Sequence, residues 1–195
     1  MQRNELAVIL MGFENVCFSG GAAGADRLFG LWASANGQDE IHFSFAAHKA
    51  HVDESTVVEL PNELLTCKEV QDQLKLANRT LGRSVPRFGY VYNLLARNSY
   101  QIYCTERVYT IGELVSPSQL DGGTAWAVQM YLDRDNEDKE IYHYDIMDNK
   151  VYQYCNQTKQ FIEVESVPKP HGKWTGIGTR RATQEHMDNF ASKFE

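Results

Sequence analysis

Three short glycine turns constrain this chain more than any other feature. SGGAAGAD (19–26) lies between a strand-like run, NVCFS (15–19), and a helix-like run, GADRLFGLWASAN (24–36). GGT (122–124) feeds the apolar segment AWAVQMYLD, and GIGTRR (176–181) precedes a helix-like C-terminal segment, 183–194. Glycine adopts positive φ and carries no Cβ, so backbone N–H groups can converge on an anion. A helix starting at such a turn adds its unpaired first-turn amides and the positive end of its dipole. Taken singly, the first loop is as well explained as a tight strand-to-helix turn with no ligand. Three such turns at strand ends of one α/β chain point jointly to a phosphate-bearing ligand.

Each turn supplies candidate residues. In the first, Gly20, Gly21, Ala22 and Gly24 offer bare backbone and Ser19 a hydroxyl. Asp26 lies in the first helical turn and is expected to brace the loop, because a carboxylate beside a phosphate repels it. In the second, Gly122 and Gly123 expose backbone, and Thr124 either caps its helix or donates to a phosphate. In the third, Gly176, Gly178 and Thr179 are followed by two cations, Arg180 and Arg181.

The turns are not nucleotide motifs of the commonest kinds. SGGAAGAD lacks the Gly-Lys-Ser/Thr ending of a P-loop, and its spacing is not G-x-G-x-x-G. The strand that follows, IHFSF (41–45), ends in Ala46-Ala47, with no acidic residue to read a ribose. No cofactor is expected.

Between the turns the pattern alternates. IHFSF and VVEL (57–60) read as strands, 62–81 as a helix capped by Asn62, and Pro86 as the opening of a helix ending near RNSYQ. RVYTIG (107–112) is a strand; IYHYDI, KVYQYC and QFIEVE read as a strand followed by an antiparallel hairpin. The fold class is therefore α/β: a three-layer sandwich with a mostly parallel sheet, helices on both faces and a small hairpin within 141–165.

Composition narrows the function classes. A chain of 195 residues fits one domain, and its net charge of −7 disfavours a general nucleic-acid binder. Cys17, Cys67, Cys104 and Cys155 form no C-x-x-C pair, which fits a reducing cytoplasm rather than a disulfide or zinc framework. The longest apolar run, Leu6–Phe13, is too short to span a bilayer and reads as a buried strand or helix. His48, His51, Asp53 and Glu54 have ligand-like chemistry but no evident further partner, so no metal is expected. Residues 133–140 read as a solvated turn. Tyr90, Tyr92, Tyr100, Tyr103, Tyr109 and Trp126 are core, interface or base-stacking aromatics, which sequence does not separate.

SGGAAGAD, LLARN (94–98) followed by a strand and DGGTAWAVQ, and GIGTR (176–180) together resemble the SLOG group of Rossmann-like proteins, found in phages and bacteria. That group includes the LOG phosphoribohydrolases and DprA-like proteins. The resemblance leaves 137–170 uncovered, as a β insertion in a single domain of residues 1–195. It implies a Rossmann-like fold, a ligand or loop-bracing role for Arg97 and Asn98, and a homo-oligomer. It also implies a cytoplasmic protein that binds a nucleotide-derived small molecule, such as ADP-ribose or a cyclic nucleotide, with sequestration of a host signal as one use.

Two departures matter. In such relatives the GIGSR segment precedes SGGA; here it comes last, so the chain resembles a circular permutant. Its termini are then expected to lie close together, and strand 174–177 to lie beside strand 15–19. LOG enzymes also carry a glutamate in the helix after their glycine loop, where this chain has Gln129 and no carboxylate before Asp133. An amide is no general acid or base, so binding is favoured over cleavage. The alternatives are a nucleotide N-glycosidase using Asp26, Asp121 or Glu113, and a DprA-like nucleic-acid protein that the acidic balance disfavours.

Overall fold

Val16–Ser19 is buried at all four positions. A strand with no exposed side needs cover on both faces, which the interior of a layered sheet supplies. A computed structural model describes residues 3–135 and 138–195 and places this strand, β1, inside an eight-stranded sheet. The remaining strands are β2 (Asp39–Ser44), β3 (Val57–Glu59), β4 (Arg107–Gly112), β5 (Leu114–Ser116), β6 (Gln119–Leu120), β7 (Glu140–Asp145), β8 (Lys150–Cys155), β9 (Gln160–Val164) and β10 (Lys173–Gly178). The helices are α1 (Arg3–Met11), α2 (Ala25–Ala35), α3 (Asn62–Leu65), α4 (Lys68–Leu81), α5 (Tyr90–Gln101), α6 (Thr124–Leu132) and α7 (Gln184–Ala191).

The sheet order is β3-β2-β1-β10-β4-β7-β8-β9. The strands from β3 to β7 pair in parallel, and β7-β8-β9 pair antiparallel. β5 and β6 form a separate two-stranded ribbon. This is the α/β, Rossmann-like architecture expected. The strand β7 belongs to the parallel body of the sheet beside β4, and the β8–β9 hairpin continues that sheet's edge.

Alternation along the strands builds two cores. Val16, Phe18, Phe43, Val108, Ile141 and Ile177 pack with the buried faces of α1, α3, α4, α5 and α6. Cys17, Tyr109, Ile111, Tyr144 and Trp174 point the other way and pack with α2 and α7, where Phe29 and Phe190 are fully buried. The strand from the far end of the chain does lie beside the first one: β10 pairs with β1 in the register Val16↔Lys173 to Phe18↔Thr175. The closeness of the termini involves Met1, which lies outside the described residues.

Several local expectations change. The helix expected over 62–81 is two helices, and Pro61, not Asn62, occupies the cap position. Extended Cys67 (ψ 157°) caps α4, and Thr66 Oγ1 donates to the Asn62 carbonyl at 2.8 Å, ending α3. Pro86 opens no helix; α5 starts at Tyr90, because Gly89 at φ 91° cannot continue a right-handed helix into it. Helix 183–194 shortens to α7, with Thr183 as its cap accepting from the His186 amide. The charged run is not wholly solvated: Lys139 is buried, its Nζ donating to the Tyr131 carbonyl at 3.2 Å, while residues 136–137 lie outside the described residues. No described helix is long and apolar enough to cross a membrane.

Candidate functional site

Parallel strands end together. β1, β10 and β4 lie side by side, so Ser19, Gly178 and Gly112 finish at one edge of the sheet. From β1 the chain steps to β2 and β3 in one direction, and from β4 to β7 in the other, which leaves a crevice beyond the strand ends. A cavity of about 650 Å³ occupies it. Its walls include Ala22, Asp26, Arg97, Asn98, Gly122, Gly123, Thr124, Gly178, Thr179 and Arg180, drawn from all three glycine turns and the Arg-Asn pair. Ser19, Gly20, Gly21, Gly24 and Gly176 do not line it.

The first turn is bare mainly because the protein packs into it. Arg97 Nη1 donates to the Gly20 carbonyl at 2.6 Å, and a Cβ on Gly20 would fall within the guanidinium. Gly24 (φ 87°) lies against the backbone of Thr179 and Arg180, and Ala25 N–H donates to the Thr179 carbonyl at 3.1 Å. Gly21 (φ 61°) faces His42 and Val52. Ser19 Oγ donates to the Asp26 carbonyl at 2.9 Å, closing the turn from inside. In the third turn, Gly176 makes room for Phe29 and Gly178 for the Ile111 carbonyl. Gly20, Gly24, Gly176 and Gly178 are thus where elements far apart in sequence touch.

Asp26 braces, as its position implied. Its carboxylate accepts from the Gly178 amide at 3.1 Å and lies 3.5 Å from Arg97 Nη2, both side chains being buried. Burial pushes the Asp26 carboxyl up, opposed by Arg97 and the Gly178 amide. Burial likewise lowers the Arg97 guanidinium, opposed by Asp26. His48 Nε2 lies 3.4 Å from Arg97 Nη1 and its Nδ1 3.0 Å from Ser44 Oγ. Burial first, then the cations of Arg97 and Arg180, hold His48 down at about 4, so its ring is neutral near pH 7 and Nε2 accepts. The neighbouring residue, Asn98, donates to the Gly123 carbonyl at 3.4 Å. Consecutive side chains of α5 therefore tie the first glycine turn to the second.

The second turn is open. Gly122 (φ 58°) has nothing within 4 Å of where a Cβ would sit, and at Gly123 only Leu95 Cδ2 comes near, at 3.6 Å. Gly123 occupies the cap position of α6 without any side-chain cap. The start of α6, from Gly122 to Thr124, thus borders the crevice at the positive end of the helix dipole, with the Trp126 amide donating to the Gly123 carbonyl at 3.2 Å. Arg180 is exposed on the same crevice and has no ion-pair partner among the described residues, whereas Arg181 pairs with Glu113 at 2.9 Å.

One side of the wall is apolar: Val85, Pro86, Val91, Leu94, Leu95, Leu120 and Trp126, with Tyr90; Ser84, Glu113, Asp121 and Arg181 also line the cavity. Of the candidate aromatics, Tyr92, Tyr100 and Tyr109 are core residues whose hydroxyls donate to the carbonyls of Leu65, Leu64 and Pro168. Tyr90 and Trp126 line the cavity; Tyr103 does not. Trp126 is pinned by its Nε1 donating to Asn78 at 2.6 Å. The sequence reading misses Arg83, which donates to the Gly122 carbonyl at 3.1 Å and lies 5.1 Å over the Trp126 ring. Its place just past a helix end resembles an ordinary dipole partner, so nothing in sequence marked it. Gln129 donates to Asp133 at 2.8 Å and stands outside the cavity wall, while the carboxylates in the wall are Asp26, Glu113 and Asp121. Among the described residues no three His, Cys, Asp or Glu side chains gather as a metal site. Compared with family models, curated proteins and solved structures, the chain gives no match.

Proposed function

We propose that the crevice binds a phosphate-bearing, nucleotide-derived small molecule. The open, uncapped start of α6 at Gly122–Thr124, sharing one cavity with Arg180, a cation without an ion-pair partner among the described residues, carries this reading. Amides at a helix start and a guanidinium are what a phosphate needs; the Trp126 amide is taken by the Gly123 carbonyl, the turn before it is open, and Arg180 has no ion-pair partner among the described residues. The apolar wall beside them suits the rest of a nucleotide, and the volume, about 650 Å³, suits a ligand of that size. Sequestration of such a ligand by a homo-oligomer, in the manner of a SLOG-type sponge, belongs to the same reading and rests on the resemblance alone. The test is mass spectrometry of small molecules released by denaturing the purified protein. A nucleotide recovered intact supports the reading, and a preparation that neither carries nor binds any nucleotide overturns it.

A hydrolytic reading has one observation in its favour: Glu113 and Asp121 stand in the cavity wall. Asp26 is spent on Gly178 and Arg97, and Glu113 on Arg181, which leaves Asp121 as the carboxylate for acid or base work. Incubation with nucleoside monophosphates and ADP-ribose, followed by chromatography, separates the two readings: released base would establish turnover, and intact nucleotide would leave binding.

A further inference from the structure

Residues 82–89, between α4 and α5, form a strap without regular structure that walls the crevice through Ser84, Val85 and Pro86. It is bounded by Gly82 (φ 62°) and Gly89 (φ 91°), each with open space where a side chain would stand. At its start Arg83 holds the second glycine turn. At its far end stands Phe88, 82% exposed, the most exposed large apolar side chain among the described residues. Two residues on, Tyr90 lines the cavity with its ring edge-on to Phe45 at 5.5 Å, which fixes its orientation.

Phe88 does not itself line the cavity; it stands on the strap between Pro86 and Tyr90, which do, and its ring is left almost wholly in water. Burying that ring against a planar apolar group at the cavity end would remove apolar surface from water. We propose that the apolar end of the crevice is a base subsite, with Tyr90 its fixed wall and Phe88, carried on the strap, its closing cover. This rests on the reading of the crevice as a nucleotide site, and it specifies the ligand as one with an aromatic base rather than a phosphorylated sugar or inorganic polyphosphate. Val85 packs against the core and Arg83 is bonded to the Gly122 carbonyl, while positive-φ Gly89, with open space around it, lets the Phe88 end of the strap turn. The link from Arg83 to the Gly122 carbonyl makes strap position and phosphate seat respond to each other.

The probes are inorganic pyrophosphate and the four nucleoside diphosphates ADP, GDP, CDP and UDP, titrated by calorimetry into the whole chain at matched ionic strength. At least one nucleoside diphosphate is expected to bind more tightly than pyrophosphate. Phe88→Ala is expected to weaken that nucleotide about tenfold more than it weakens pyrophosphate, the scale of one aromatic–base stack. Phe88→Trp, which keeps a stacking face and reports on burial, is expected to shift its emission to the blue with the nucleotide and not with pyrophosphate. Equal affinities for pyrophosphate and all four nucleotides, with Phe88→Ala neutral, would overturn the base subsite while leaving the phosphate seat standing. Binding of neither class would overturn both. A Phe88→Ala effect on oligomeric state without an effect on relative affinity would make Phe88 a subunit contact and end the proposal.

Discussion

Arg97 sits where the side chain of residue 20 would have been. Its guanidinium donates to the Gly20 carbonyl at 2.6 Å and lies 3.5 Å from the buried Asp26 carboxylate. A glycine-rich turn that resembles an anion cradle thus already holds a cation, with its counter-charge, supplied by the protein itself. The first turn frames the crevice, and the second is left open.

Gly20→Ala is therefore expected to destabilise the protein by about 1–3 kcal/mol, because the guanidinium must move or the turn must open. Urea denaturation measures it. Arg97→Ala is expected to cost more, about 3–5 kcal/mol, since it strands Asp26 in the interior. Adding Asp26→Asn to Arg97→Ala should recover part of that loss. Strict additivity of the two changes would show that the pair is not coupled.

Gly123→Val tests the phosphate seat. Gly123 has ordinary helical dihedrals (φ −67°, ψ −24°) and space for a Cβ, so the variant should fold with stability within about 1 kcal/mol of the parent. Its branched side chain would cover the first-turn amides of α6, and nucleotide affinity should fall at least about tenfold, the loss of one charge-assisted hydrogen bond. Unchanged affinity in a folded Gly123→Val would remove α6 from the site. Gly21→Val is the poorer test, because positive φ and contact with His42 make it a folding mutant first.

Arg180→Ala should leave the melting temperature nearly unchanged, because the side chain is exposed and without an ion-pair partner among the described residues. Nucleotide affinity should drop about tenfold to a hundredfold, the range for hydrogen bonds to a charged group. The salt dependence of binding should flatten as well, since one cation has left the seat. An affinity that keeps its full salt dependence would place the cation elsewhere.

Stability should decline on mild acidification because of His143. This ring is fully buried between Thr110, Tyr152 and Phe161, and burial holds it down at about 3. The folded value lies below the ordinary 6.5, so the unfolded chain takes the proton first. The stabilising contribution is complete above pH 6.5 and is lost as pH falls toward 3, amounting to about 2–3 kcal/mol by pH 4.5. His143→Gln should flatten the curve of unfolding free energy against pH in that window, whatever it does to stability at pH 7. An unchanged slope would assign the acid sensitivity to other groups.

Much of the architecture was readable because it depends on local pattern. NVCFS (15–19) reads as a buried strand and RVYTIG (107–112) as a strand, and both form, as Val16–Ser19 and Arg107–Gly112, because burial on both faces favours small or apolar side chains. The neighbouring of β1 and β10 was readable from motif order, not from physics within either segment. The break at Thr66–Cys67 and the late start of α5 at Tyr90 were not, because apolar spacing continues across both and the stops are backbone dihedrals.

For the site, the sequence by itself determined which positions carry no side chain and that a cation and an amide stand together at 97–98. Only the tertiary structure decided what each bare position is for. Gly20, Gly24, Gly176 and Gly178 admit Arg97, the Thr179–Arg180 backbone, Phe29 and the Ile111 carbonyl, while Gly122 faces open space and Gly123 meets only Leu95 Cδ2, at 3.6 Å. The absence of a Cβ is a property of one residue. The atom that takes its place comes from a strand or helix tens of residues away, and its arrival is fixed by how the sheet and both cores pack.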